Sequence, residues 1–288
     1  MIVVPVLWLV LFFLVPFLIV LKISYAVSDP SVRPPYSALI SFATQDTLAI
    51  TLSLRNYIML LADPLYVGAF LRSLLFAGVS TGVALLIGYP IAYGIARARP
   101  FPRLVLLTLV ILPFWTSSLL RSYALIGILK TNGVLNQALQ GLGIIDAPLE
   151  ILHTNLAVYI GIVYNYLPFM ILPLTANLMK LDFTLLEAAA DLGATPWVAF
   201  WKVTVPLSKA GIIAGAMLVF IPCIGEFVIP ELLGGPQTLM IGRVLWDEFF
   251  SNNDWPMAGS VAVVMVLLII VPLAIFNKYQ AEAQETRR

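Results

Sequence analysis

Residues 181–211 read LDFTLLEAAADLGATPWVAFWKVTVPLSKAG, a polar stretch between two strongly apolar ones. Leu185, Leu186, Ala189 and Leu192 recur at helical spacing, Glu187 and Asp191 lie one turn apart, and Gly193 follows as a natural stop. Thr195 and Pro196 open a second helix, because the fixed φ of proline suits a first turn and its missing N–H is not needed there. That helix carries Trp197, Phe200 and Trp201 along one face and is expected to stop before Pro206. Two short helices thus meet at a glycine elbow. Large exposed aromatics on it suit a docking surface for a peripheral subunit, or equally an amphipathic hairpin resting on lipid headgroups.

The flanks set the environment of this elbow. The chain of 288 residues is 61% hydrophobic and 11% charged, against about 25% charged in ordinary soluble domains, and its mean hydropathy is +0.98. A spanning helix needs about 20 mostly apolar residues, because hydrocarbon offers an open backbone no hydrogen bonds. Stretches 2–25, 67–96, 104–128, 156–178, 210–233 and 257–276 qualify. The expectation is an all-α polytopic membrane protein with six transmembrane helices, one domain over 1–288, and a polar loop at about 179–209. The first run has neither a basic n-region nor an Ala-x-Ala cleavage pattern, so it is read as a span rather than a signal peptide. The missing basic flank before Ile2 leaves open a native start further upstream.

Basic residues sort by side. With cytoplasmic termini, that side holds Arg97, Arg99, Arg103, Lys180, Lys202, Lys209, Lys278, Arg287 and Arg288, whereas the outer connections hold Arg33, Arg55, Lys130 and Arg243. Nine against four favours this orientation. Asp29, Asp46, Asp63, Asp146, Glu150, Asp247, Glu248 and Asp254 then fall outside, a net acidic face able to concentrate a cation. Acidic outer loops also follow from solubility alone.

Several function classes drop out. A net charge of +1 excludes a strongly basic nucleic-acid binder. One cysteine, Cys223, and one histidine, His153, make neither a disulfide framework nor a metal site of the usual kind, and both are read as packing residues. No cofactor, metal or catalytic residue is expected, since no nucleophile with its base is evident. No G-x-x-x-x-G-K-[ST] occurs, so the chain is not expected to bind ATP itself. Residues 78–82 (GVSTG) and 211–215 (GIIAG) fit small-xxx-small faces on which membrane helices approach closely. An ion-coupled secondary transporter remains an alternative, although it would need its own coupling-ion site and usually shows paired repeats.

Ionisable groups within a span are costly and point to a pathway or a paired site. Glu226 and Glu231 lie in IPCIGEFVIPELLGGP, where Pro222 and Pro230 are expected to loosen the helix and free carbonyls toward a cavity. Tyr164, Tyr166 and Trp115 offer aromatic faces for an ammonium group, as do Tyr159, Phe169, Tyr89, Tyr93 and Tyr123. The alternatives are that the glutamates pair with Arg72, Arg121 or Lys22, and that the aromatics simply pack or sit at the membrane interface.

Glu187, Ala188 and Ala189, then Gly193, then Val203, Val205 and Pro206 resemble the EAA loop of ABC-importer permeases: EAA, three residues, Gly, nine residues, Ile-x-Leu-Pro. Val203 and Val205 replace the family's Ile and Leu with the spacing intact. The resemblance implies the type I importer permease fold and an elbow that seats on a cytoplasmic ATPase dimer, with Glu187 and Gly193 in the coupling roles. GEFVIPELLGGPQTLMIGRVLWDEFFSNNDWP and SLLFAGVSTGVALLIGYPIAYGIAR are similar to the polyamine permeases, especially the putrescine type. That similarity implies a bacterial inner-membrane subunit, a second homologous permease in a heterodimer, and a periplasmic polyamine-binding protein. Putrescine is the expected cargo, with spermidine second and another small solute as the alternative.

Overall fold

Apolar runs that meet no water must satisfy their backbone internally, and the chain is accordingly a succession of helices. The computed structural model describes residues 3–37, 40–44, 47–50, 52–182 and 184–285. Ile2, Asp46, Arg287 and Arg288, named above, lie outside the described residues, as does the side chain of Lys278. In chain order the elements are α1 (Val3–Ser24), strands β1 (Ile40–Thr44) and β2 (Thr47–Ile50), α2 (Arg55–Ala62), α3 (Pro64–Arg97), α4 (Pro100–Ile111), α5 (Ser118–Leu129), α6 (Val134–Gly141) and α7 (Asn155–Leu178). There follow α8 (Thr184–Asp191), α9 (Pro196–Leu207), α10 (Lys209–Ile224), α11 (Val228–Leu233), α12 (Ile241–Trp246) and α13 (Trp255–Glu285). The all-helical class holds, with an addition that periodicity did not disclose. β1 and β2 form a short antiparallel ladder, Ile40 opposite Ile50, in the connection 26–66.

Among the described residues four helices are long and apolar enough to cross a membrane: α1, α3, α7 and the Trp255–Ala274 part of α13. Six spans are reached when two bent pairs each count as one. The expected span 104–128 is not straight: α4 tightens into a 3-10 turn at Leu112–Trp115, and the chain turns by 93° before α5. Pro113 opens that turn, where its absent N–H breaks the ladder at least cost. The expected span 210–233 is corrected too. α10 runs past Pro222 and ends at Ile224, the chain is non-helical at 225–227, and α11 resumes at Val228. Pro230 breaks nothing, because it sits in the first turn of α11, where N–H groups have no intrahelical acceptor. Pro90, Pro168, Pro173 and Pro272 lie inside helices that continue through them.

The chain forms two compact units. The first comprises residues 1–73, 225–227 and 239–271. Within it the Ser24 hydroxyl meets that of Tyr57 at 2.6 Å, and Asn56 Nδ2 donates to the carbonyls of Ser24 and Ala26, each at 3.1 Å. The Tyr66 hydroxyl donates to Glu248 Oε1 at 2.7 Å, and the Ile241 N–H to Ser73 Oγ at 2.8 Å. Phe227 stacks on Trp246 with ring centres 4.8 Å apart.

The second unit comprises residues 74–224, 228–238 and 272–288. Its core sets Tyr89, Ala92 and Ile95 of α3 against Met170, Leu174 and Leu178 of α7 and Val219 of α10. Gly211 and Gly215 let α10 approach α7 closely: a Cβ at either would stand 2.7 Å from Asn177 Cβ or Met170 Sδ respectively. The GIIAG packing face is therefore present. GVSTG is different, since a Cβ at Gly78 or Gly82 would meet nothing within 4 Å among the described residues.

Candidate functional site

The elbow forms as the sequence dictates up to its second helix. At the end of α8 the Gly193 N–H donates to Ala190 O at 2.8 Å and the Ala194 N–H to Ala189 O at 3.0 Å. This paired closure puts the glycine at φ +82°, a left-handed conformation that a side chain resists. Thr195 then caps α9, its hydroxyl accepting from Val198 N at 3.4 Å, with Pro196 in the first turn. α9 does not stop before Pro206, however. A π-helical turn at Phe200–Thr204 widens the coil, with Val205 N–H donating to Phe200 O, and the helix continues to Leu207. The wider turn relieves the clash that a proline ring would otherwise have with the carbonyl four residues back. The bend of 67° comes instead between Leu207 and Lys209.

The aromatic face divides. Phe200 turns inward and meets Tyr89 edge-on at 5.4 Å and Tyr93 at 6.2 Å, while Trp197 and Trp201 are 70% and 52% exposed. A buried hydrogen bond of 2.8 Å between the Tyr89 and Ser208 hydroxyls fixes the far end of α9 to α3. Leu192 is 90% exposed, so the apolar stripe of α8 continues outward. Beneath the elbow lies a cleft of about 340 Å³ whose lining includes Tyr93, Arg97, Glu187, Ala194, Phe200 and Thr204. Arg97 lies over the Tyr93 ring at 5.5 Å and donates to its hydroxyl at 3.1 Å. Glu187, Ala188, Gly193 and Pro206 are exposed and Ala189 is half-buried. Ahead of α8, exposed Asp182 accepts from the Thr184 amide at 3.0 Å, which holds its carboxyl below the usual range. The contribution of the carboxylate charge to that contact is therefore present above the ordinary carboxylate pKa and lost as pH falls through the lowered one.

The residues singled out for a substrate path are not among those lining the cleft at the elbow. Glu226 is half-buried in the non-helical stretch of the first unit, its Oε1 accepting from Phe227 N at 3.1 Å. Gly242 packs directly on the carbonyls of that stretch: a Cβ there would run into Gly225 O and stand 2.9 Å from Glu226 O. The other four belong to the second unit. Glu231 is exposed on α11, Trp115 is 82% exposed and Tyr164 45%. Tyr166 is half-buried with its ring 6.0 Å from Phe169. Tyr164 and Tyr166 leave α7 about 200° apart, so one helix face cannot present both.

Two polar residues of this unit carry more than the sequence indicated. Arg121 is 9% exposed with its guanidinium 5.9 Å from the Phe114 ring, and its Nε and Nη1 meet no acceptor among the described residues. Asn165, 3% exposed in the middle of α7, accepts from Ser118 Oγ at 3.4 Å and donates to Gly161 O at 2.9 Å. A polar side chain within an apolar run is the signal that marks both.

The fold has known counterparts. A bacterial ABC transporter importing the acidic polysaccharide alginate superposes with a TM-score of 0.67 at 17% identity, covering 96% of this chain and 92% of that one. The MetNI methionine ABC transporter gives 0.57 at 18% identity, covering 75% and 94%. Closer in sequence is the spermidine/putrescine transport system permease PotB of Haemophilus influenzae, 41% identical over 98% of this chain and 92% of its own. PotB of Escherichia coli is 40% identical over 93% and 92%. The molybdenum transport permease ModB of Azotobacter vinelandii is 30% identical over 67% and 86%. The similarity to polyamine permeases and the reading as a transport subunit rather than an enzyme agree with these relatives. The profile of the binding-protein-dependent transport system inner membrane component matches residues 84–284, and the chain belongs to that family.

Proposed function

We propose that this chain is one half of the translocation path of an ATP-driven polyamine importer in a bacterial inner membrane. The observation that carries the reading is the elbow: a stiff, glycine-closed pair of helices anchored to the spans through Phe200 and Ser208, presenting Trp197, Trp201 and Leu192 outward. Such a body suits the transfer of motion between a peripheral subunit and the membrane helices. A cytoplasmic ATPase dimer seats there, with Glu187, Ala188, Ala189, Gly193 and Pro206 forming the coupling surface. Both termini are cytoplasmic, as the excess of arginine and lysine on that side favours.

The substrate rests on the relatives. The two PotB proteins, named for spermidine and putrescine, match at 40% to 41% over nearly the whole chain, whereas the molybdenum permease matches at 30% over two thirds. Putrescine is preferred here and spermidine second. A loaded periplasmic binding protein docks on the acidic outer connections, ATP binding opens the path outward, and hydrolysis resets it. A second, homologous permease supplies the other half of the path as a heterodimer partner, and the whole of 1–288 acts as one permease domain. Glu226 and Glu231 are each a carboxylate for an ammonium group, Trp115 offers a ring face, and Tyr164 and Tyr166, on opposed sides of α7, offer theirs at separate points. Binding along the path is weak, since the solute must leave again.

The test is ATP-dependent uptake of labelled putrescine, with spermidine as competitor, in transport-deficient cells expressing this chain with its partner subunits. Saturable uptake abolished by an inactive ATPase supports class and substrate together. No uptake by an assembled complex rejects putrescine.

A further inference from the structure

The connection 129–155 is pinned by side chains within the second unit. Asn136, 1% exposed on α6, donates from Nδ2 to Thr131 O at 3.1 Å and Leu149 O at 2.9 Å, while its Oδ1 accepts from Leu149 N at 2.8 Å. The start and the far arm of the connection are thereby tied together just after α5. Beyond Leu149 the chain reaches His153, which adopts φ +63°, an uncommon conformation for a residue with a side chain. Its backbone N–H donates to Leu233 O at 2.9 Å, and its Nδ1 lies 3.2 Å from Gly234 O. A carbonyl only accepts, so Nδ1 carries the proton whether the ring is neutral or cationic. Both acceptors sit at the end of α11, where a helix leaves carbonyls without partners of its own. Gly235 makes the approach possible, because a Cβ there would run into the His153 carbonyl oxygen. α11 also packs on α5 and α7.

We propose that His153 is a positioning residue of the transport cycle, a clip that fastens α11 to the Asn136-braced connection so that α5, α6 and α11 move as one body. The role in transport rests on the reading of the chain as a permease; the clip itself rests on the contacts around His153. Strain at φ +63° is tolerated because backbone and side chain of one residue then cap two successive carbonyls.

Three substitutions separate the clip from mere packing. His153→Gly removes the Nδ1 bond while accepting φ +63°, so folding is spared. His153→Asn tolerates the same backbone and offers a side-chain amide to Gly234 O. Gly235→Ala pushes the two segments apart from the other side. The full complex of both permeases and the ATPase is reconstituted, and two quantities are read: amide exchange over residues 228–238, which includes the Gly234 and Thr238 amides bonded to Pro230 O and Gly235 O, and stimulation of ATP hydrolysis by the loaded binding protein.

His153→Gly and Gly235→Ala should raise exchange about tenfold and cut the stimulation about fivefold with the unstimulated rate unchanged, and His153→Asn should restore both to within about twofold of wild type. Wild-type exchange in both disrupted variants, undiminished stimulation despite faster exchange, or a His153→Asn protein as defective as His153→Gly would each overturn the proposal. A wild-type complex that moves no polyamine yet shows the expected pattern would reject the substrate reading and leave the clip standing.

Discussion

Glu187, Gly193 and Glu226 are where single residues carry the most of the account. At φ +82°, Gly193 takes a side chain only at a cost of about 1–2 kcal/mol, so Gly193→Val should open the α8 terminus. The check is co-purification of the ATPase, which should fall relative to wild type. Glu187→Arg reverses the charge on an exposed face of α8 and should reduce ATPase docking or uncouple hydrolysis from uptake. Glu226→Gln keeps shape and removes charge, so uptake should drop about tenfold with assembly unchanged, a change of roughly 1.4 kcal/mol. Normal uptake by an assembled Glu226→Gln complex would remove that residue from the path. The glycine stop was legible in the sequence because a stop is a local matter of propensity and spacing. The left-handed backbone of His153 was not, because the carbonyl its ring meets, that of Gly234, lies 81 residues away.

Phe200 joins the exposed tryptophans to α3, its ring meeting Trp197 and Trp201 on one side and Tyr89 and Tyr93 on the other. Phe200→Ala removes ring contacts to Tyr89 and Tyr93 at a cost of about 2–4 kcal/mol, below the fully buried range because the ring is only half-buried. The outcome expected is a complex that still binds its ATPase but moves less substrate per ATP hydrolysed. Tyr89→Phe, which deletes only the bond to Ser208, should show the same defect at about 1 kcal/mol. Gly215→Leu should prevent α10 from closing on Met170 and abolish the assembled complex in a pull-down, since backbone as well as the thioether stands in the way. The reading of Pro206 as a stop failed for a physical reason: a π-helical turn accommodates a proline that a regular turn would not, and nothing local to the sequence announces that turn. The bend within 104–128 and the gap at 225–227 within 210–233 were not legible in position either. Hydropathy measures the length of an apolar run, and a bend of 93° or a three-residue gap leaves the length unchanged.

At the scale of the molecule, composition alone placed the chain in lipid, and 61% hydrophobic residues leave little choice. The number of crossings depended on the bent pairs, four single helices rising to six only when each pair counts once. The substrate path was the least legible feature. Acids and aromatics in apolar runs identify candidates, but which of them share a surface depends on helix phase and on partners that one chain does not carry, as the opposed directions of Tyr164 and Tyr166 illustrate. The central claim, that the elbow converts ATP hydrolysis by a partner into polyamine uptake, is tested most directly by measuring putrescine transported and ATP hydrolysed together. Proteoliposomes holding the full complex serve for this, with wild-type chain and with Phe200→Ala. The account predicts saturable wild-type uptake that depends on hydrolysis, and a several-fold fall in putrescine moved per ATP when Phe200 is lost, with the ATPase still bound. An unchanged ratio in an assembled Phe200→Ala complex would contradict it.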